Sequence, residues 1–278
     1  MDSHSSSGSL SQPEVDPSDF LFEGSGVSAL LVHGLTGTPY EMRYLGRQLA
    51  ARGIRALGVK LAGHAGTPTE LGASNHTNWY ESVVHGFERL RGFHDPIVVV
   101  GLSMGAVLAA RLAADQGDQI VGLVMLAPAF FLPTGAWTMT RIIRRFGRWP
   151  YNVYLRNTNG SDIHDAAAKQ IHPTMSLMPL SAPLNLYDLS SIVRPMLAKI
   201  RQPTLAIHSR QDHTIPFSTL AWLMNRLRCE DKRAIELEDS YHVITVDCDK
   251  ERIAAEVIRF IEQVIRNRLA HCALISPR

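Results

Sequence analysis

Short apolar runs punctuate this chain at intervals that a helix would fill. Ala29-Leu30-Leu31-Val32, Ile54 to Val59, Pro96 to Val100, Ile120 to Ala127, Pro203 to His208 and Ala234 to Leu237 are such runs, mostly apolar, with Arg55 and Glu236 as the charged exceptions. Such runs predict strands covered on both faces. Between them the apolar spacing changes to that of helices. Pro39 to Arg52 sets Tyr40, Tyr44, Leu45 and Leu49 on one side, and Asn78 to Leu90 follows. Ala106 to Ala114 and Lys250 to Arg268 complete the helical stretches. Strand and helix in alternation predict an α/β fold, a mostly parallel sheet with helices on both faces. No internal repeat is visible.

The alternation stops over residues 129–194, where no clear strand can be read. We expect these residues to form a cap inserted into a core made of 20–128 and 195–270. A polar leader, 1–19, and a short tail, 271–278, would flank that core.

One turn in the core stands out. Gly101-Leu102-Ser103-Met104-Gly105 follows an apolar strand and precedes an Ala/Leu helix, the setting of a nucleophile elbow. There the glycines let the chain close tightly and Ser103 is lifted above the sheet. The plainer alternative is a helix start that Ser103 merely caps. A serine nucleophile needs a base, an acid to orient it and an oxyanion hole. Among twelve histidines, His242 is the best placed, in the loop after Glu238-Asp239-Ser240-Tyr241 and before the last helix. His4, His164, His172 and His271 lie in the leader, the irregular middle or the end of the chain. Asp212 closes the loop Ser209-Arg210-Gln211-Asp212 and is the candidate acid, with Asp239 as runner-up. Asp212 could instead cap Thr214-Ile215-Pro216, a role compatible with orienting a histidine. Oxyanion donors are expected from the Met104 amide and from the loop His33-Gly34-Leu35-Thr36-Gly37, with Leu35 as the second donor. His33 reads as a structural residue of that loop.

The run Leu30 to Pro39, the loop Gly63-His64-Ala65-Gly66, the elbow Gly101 to Gly105, Ser209 to Asp212 and His242-Val243-Ile244-Thr245 together resemble one known group. It is the bacterial carboxylesterase and monoacylglycerol lipase group of α/β-hydrolases. The likeness runs from about Phe20 to about Gln263 and weakens between Phe131 and Arg194. It implies the α/β-hydrolase fold with an inserted cap, a Ser103, Asp212 and His242 triad, and Leu35 and Met104 as oxyanion donors. It also implies a cofactor-free serine esterase. One departure is Gly63-His64-Ala65, where the group often has Gly-His-Gly.

Composition narrows the remaining classes. The chain has 278 residues, 45% of them hydrophobic, and a net charge of +2, which suits one large globular domain and not a general nucleic-acid binder. Cys229, Cys248 and Cys272 have no metal spacing, and an odd, sparse set fits a reducing, cytoplasmic setting. The leader lacks the apolar stretch of a signal peptide, and no run reaches membrane-spanning length. A metal enzyme is disfavoured because no H-E-x-x-H occurs and His208 with His213 lacks a third ligand. Within residues 141–149 the arginines fall on one helical face and Ile142, Ile143, Phe146 and Trp149 on another. This would permit transient contact with a lipid interface; the alternative is an ordinary helix with a solvated basic face. Phe130, Phe131, Leu132, Met175 and Met178 are candidates to line an acyl pocket, or else form the cap's own core. The expected partner is a small-molecule ester, hydrolysed through an acyl-enzyme. A thioesterase, lactonase, C–C bond hydrolase or acyltransferase could use the same residues, and a non-catalytic receptor is the reading from another class.

Overall fold

The computed structural model describes residues 16–133, 135, 138–140, 142–143 and 153–275. Its centre is a seven-stranded sheet in the order β1-β3-β2-β4-β5-β8-β9. The strands are β1 (Phe20–Phe22), β2 (Ser28–Val32), β3 (Arg55–Val59), β4 (Ile97–Leu102), β5 (Ile120–Leu126), β8 (Thr204–Ser209) and β9 (Lys232–Leu237). All pairings are parallel except β1 with β3. This is the mostly parallel α/β sheet anticipated from the alternation of runs, and it has the architecture that the resemblance to α/β-hydrolases implied. β1 has only three residues on an antiparallel edge, too short to stand out as an apolar run.

The apolar runs follow from burial on both faces. Leu30 and Val32 of β2 point into one cluster, with Val99, Trp79, Phe87 and the Ala/Leu face of α4 (Met104–Gln116). Ala29 and Leu31 point into the other, with Met42 and Leu45 of α1 (Tyr40–Ala50) and Val257 and Ile261 of the last helix. Trp79 and Phe87 lie on α3 (His76–Arg91), whose first turn is closed by a capping box between Asn75 and Asn78. A shorter helix, α2 (Pro68–Ala73), follows the loop at Ala65. Ala65 takes φ +60°, so the turn holds a left-handed residue that carries a side chain.

Between β5 and β8 the chain leaves the sheet. It forms the antiparallel pair β6 (Tyr154–Arg156) and β7 (Leu177–Pro179), with α5 (Ala166–Ile171) between them. Strands were not expected here; these two are three residues long and largely exposed, so they carry no buried apolar run. Next comes α6 (Ser181–Val193), whose Ala182, Leu186, Leu189 and Val193 join the same core cluster as α4. After β8, α7 (Ser218–Arg226) leads to β9, and α8 (Lys250–Ile275) closes the chain. That helix runs through Ile275, so part of the expected tail 271–278 is helical backbone. Of the basic stretch 141–149, only Ile142 and Ile143 are among the described residues; its four arginines and both aromatics lie outside them. The leader residues 1–15 also lie outside. Among the described residues no helix is long and apolar enough to cross a membrane.

Candidate active site

The elbow joins β4 to α4, at the sheet edge where strand ends in an open parallel sheet form a crevice. Ser103 holds φ +56°, ψ −115°, an unfavourable conformation for a residue with a side chain. Three backbone bonds secure it. Its N–H donates to the Leu126 carbonyl at 2.8 Å, and its carbonyl accepts from Ala106 and Ala129 at 3.1 and 3.2 Å. The flanking glycines are required by contact. A Cβ on Gly101 would lie 2.1 Å from the Gly105 carbonyl oxygen, and one on Gly105 would lie 2.2 Å from that of Val32.

Loops following β8 and β9 bring two further side chains to this serine. Ser103 Oγ donates to His242 Nε2 at 2.9 Å, and His242 Nδ1 donates to Asp212 Oδ2 at 2.7 Å. Asp212 is saturated with donors. Its Oδ2 also accepts from His208 Nε2 at 2.9 Å, while Oδ1 accepts the Thr214 and Ile215 amides at 2.8 and 2.7 Å. The capping turn and the histidine contact therefore coexist on one carboxylate. Burial of Asp212 favours its neutral form, but the two histidines outweigh this and hold it well below the usual carboxylate range. Burial likewise disfavours a charged His242. The Asp212 charge and hydrogen bond, with Asp162 and Glu41 behind them, prevail and raise it above an ordinary histidine. A carboxylate fixed on Nδ1–H leaves the Nε2 lone pair facing the serine hydroxyl.

The His242 loop is itself pinned. Buried Asp247 accepts the amides of His164, Asp165, Tyr241 and Cys248 at 2.8 to 2.9 Å. Asp162, from the segment between β6 and α5, accepts the His242 and Val243 amides on its carbonyl, both at 3.1 Å. Its carboxylate meets the His213 ring at 3.0 Å and Thr214 Oγ1 at 3.0 Å. Neither aspartate carries a signal in the sequence, because His164 and Asp165 meet Asp247, and His213 and Thr214 meet Asp162, only after chain segments 51 to 83 residues apart come together.

On the other side of Ser103 runs the β2–α1 loop. A Cβ on Gly34 would come within 3.3 Å of the Ser103 Cβ. His33 fixes the loop from below, with Nδ1 donating to the Gly34 carbonyl at 2.9 Å and Nε2 accepting the Leu61 amide at 3.2 Å. Burial lowers its basicity. Leu35 lies in this loop and lines the cavity with Ser103. Met104 is the first residue of α4, so helix geometry offers its amide no carbonyl partner. Glu41, on the first turn of α1, is buried beneath the loop and accepts the Gly34 amide at 3.0 Å. No sequence pattern marked it, since an acidic residue in a first helical turn is ordinary.

A cavity of about 260 Å³ opens over the serine. Leu35, Leu132, Met178, Leu186, Ile215 and Val243 form its apolar wall, while Asn157, Ser161, Asp162, His172 and Thr174 add polar groups from the insertion. Of the five residues considered for an acyl pocket, Leu132 and Met178 line this space. Phe130 does not; it is fully buried, its ring 5.7 Å from that of Trp222. Phe131 packs edge-on to Trp222 at 4.7 Å beneath the Arg194 guanidinium, and Met175 packs against the α4 side of the core. Their hydrophobicity serves the seat of the insertion on the core. Among the described residues no group of three or more His, Cys, Asp or Glu side chains is disposed to hold a metal. His208 and His213 instead face different carboxylates, Asp212 and Asp162.

Comparison with known proteins agrees with this geometry. The family model described as Serine aminopeptidase, S33 matches residues 27–249. A thermostable monoacylglycerol lipase of Bacillus sp. (strain H-257) is 31% identical over 241 residues, covering 87% of this chain and 92% of that protein. A carboxylesterase of Bacillus subtilis (strain 168) is 29% identical over 258 residues, covering 90% and 98%. A solved structure from the study of LipS and LipT, two metagenome-derived lipolytic enzymes, superposes with a TM-score of 0.82 at 28% identity, covering 89% of this chain and 98% of that one.

Proposed function

Because the chain belongs to the serine aminopeptidase family of hydrolases, in its carboxylesterase and monoacylglycerol lipase group, we propose that it is a serine carboxylic ester hydrolase acting through an acyl-enzyme. The observation that carries this is the unbroken relay from Asp212 through His242 to the Ser103 hydroxyl on the floor of a cavity. His242 takes the Ser103 proton as Oγ attacks the ester carbonyl. The Leu35 and Met104 amides receive the oxyanion. As the tetrahedral intermediate collapses, the C–O bond to the alcohol breaks and His242 returns the proton to the leaving oxygen. Water, deprotonated by the same histidine, then releases the acid and frees Ser103. Asp212 keeps the imidazole in one tautomer throughout and stabilises the imidazolium.

Small and medium-chain esters suit a space of about 260 Å³, which lies below the ~300–1,000 Å³ of sites for drug-sized ligands. The polar rim from Asn157 to Thr174 suits an alcohol bearing free hydroxyls, as in a monoacylglycerol, the substrate that names one relative. We place the protein in the cytoplasm, a reading supported by free cysteines at Cys229 and Cys248. Transient lipid contact through residues 141–149 remains part of the proposal, resting on their basic amphipathic pattern.

The test is fluorophosphonate labelling together with turnover of p-nitrophenyl esters and monoacylglycerols. Wild-type protein is expected to label and turn over; Ser103→Ala should do neither. Turnover retained by Ser103→Ala would assign the nucleophile elsewhere.

A further inference from the structure

Glu41 is an unusual neighbour for an oxyanion site. It is 4% exposed and lines the cavity over Ser103, on the side of the loop expected to supply amide donors. A carboxylate there would repel the negative charge that develops on the substrate, unless its own charge is already engaged. Each of its oxygens has a polar neighbour. Oε2 accepts the Gly34 amide at 3.0 Å, one residue before Leu35. Oε1 lies 3.4 Å from His172 Nε2, close enough to pair when the imidazole carries a proton there. The loop is moulded around this group, since a Cβ on Gly37 would fall 2.3 Å from both carboxylate oxygens.

His172 belongs to the insertion, just beyond α5, and is also buried. Its other nitrogen, Nδ1, pairs with Ser161 Oγ at 2.7 Å, and that hydroxyl meets Thr174 Oγ1 at 2.6 Å. Its ring stands edge-on to Tyr40, the residue before Glu41. A chain of polar contacts thus runs from the insertion through Glu41 to the backbone beside Ser103, parallel to the Asp212–His242 relay and built from different side chains.

We propose that Glu41 is a positioning residue for the oxyanion loop, holding the Gly34 amide on one oxygen and His172 of the insertion on the other, so that seating of the insertion sets the donors beside Ser103. With His172 in place the carboxylate charge is drawn toward the insertion and the loop is clamped. With His172 withdrawn the carboxylate would face the oxyanion position uncompensated and the Gly34 bond alone would hold the loop. Both parts line the cavity over Ser103, so binding against the insertion and the reactivity of Ser103 are linked. The idea rests on the ester hydrolase reading.

The experiment measures kcat and KM on p-nitrophenyl acetate, Ki for a trifluoromethyl ketone that forms an oxyanion on Ser103, and thermal stability. Glu41→Leu should lower kcat about tenfold to a hundredfold with KM changed less than about threefold, and weaken the ketone in parallel, because a donor is mis-aimed and not removed. Glu41→Gln keeps an acceptor for the Gly34 amide and should stay within about fivefold of wild type. His172→Leu should lower kcat about threefold to tenfold alone and add nothing in the Glu41→Leu background. If Glu41→Leu does not fold, Glu41→Asp, one methylene short of Gly34, replaces it with the same expected direction. Unchanged kcat and ketone affinity in the Leu or Asp variant, equal losses in Gln and Leu, or a His172→Leu effect independent of Glu41 would each overturn the proposal. Fluorophosphonate labelling of wild type separates the two levels. No labelling removes the hydrolase reading and this one together, whereas labelling with indifferent Glu41 variants removes only this one.

Discussion

The parallel sheet and the insertion between β5 and β8 are built by different rules. Every residue of β2, β4 and β5 is buried, and the loops after those strands end in side chains fixed by short backbone hydrogen bonds. In the insertion all three residues of β6 are exposed, and Leu155 and Leu177 are each 41% exposed. A strained serine at φ +56° needs the first kind of surroundings, because only a packed scaffold holds a residue off its preferred backbone. Varied substrates suit the second kind, where side chains can change without disturbing the core. The contrast assigns reactivity to the sheet and selectivity to the insertion, with Asp162 and the Glu41–His172 contact as the ties between them.

The sharpest way to break this division is at Asp212. Asp212→Asn should lower kcat by about 10⁴ by presenting the wrong histidine tautomer, while the protein still folds. A loss below about tenfold, measured on any turned-over ester, would mean that Asp212 does not orient His242. In the sheet, Leu30→Ala should destabilise by about 2–5 kcal/mol in urea unfolding, since Leu30 is fully buried between strand and helix.

The acid limb of activity is the next effect in size. His242 must be neutral to accept the Ser103 proton, and its pKa is raised, so protonation begins at a higher pH than for a free histidine. kcat/KM should therefore fall about tenfold per pH unit below a midpoint that lies higher than that of a free histidine. A profile flat to pH 4 would exclude His242 as the base.

Within the insertion, Met178→Ala should shift the preferred acyl or alcohol size while changing kcat on p-nitrophenyl acetate by less than about threefold. Equal losses on all esters would place Met178 in the chemistry. The smallest effect belongs to Leu155→Ser on the exposed β6, within about 0.5 kcal/mol of wild-type stability. A loss like that of Leu30→Ala would show the insertion to be as tightly packed as the sheet.

Much of the site could be read along the chain because its parts sit at strand ends. Gly101 to Gly105 follows β4, Gly34 and Leu35 follow β2, and Asp212 lies just past β8; each is bracketed by an apolar run. Their meeting on Ser103 follows from the order of parallel strands. Glu41, Asp162 and Asp247 escaped notice because the carboxylate of each accepts backbone amides, a role open to any carboxylate and bound to no spacing. The acyl-pocket residues were harder still. Phe130 and Leu132 are two positions apart in one apolar segment, yet one is packed under Trp222 and the other lines the cavity.

By itself the sequence determined the alternation of strands and helices, the fold class and the residues proposed as nucleophile, base and acid. Those follow from periodicity and from turns that only certain residues permit. Tertiary structure alone decided which buried carboxylates brace the loops, which apolar residues of the insertion face the substrate, and how His172 reaches Glu41. Such contacts join segments far apart in the chain, and their energies depend on distance and burial, which no local pattern encodes.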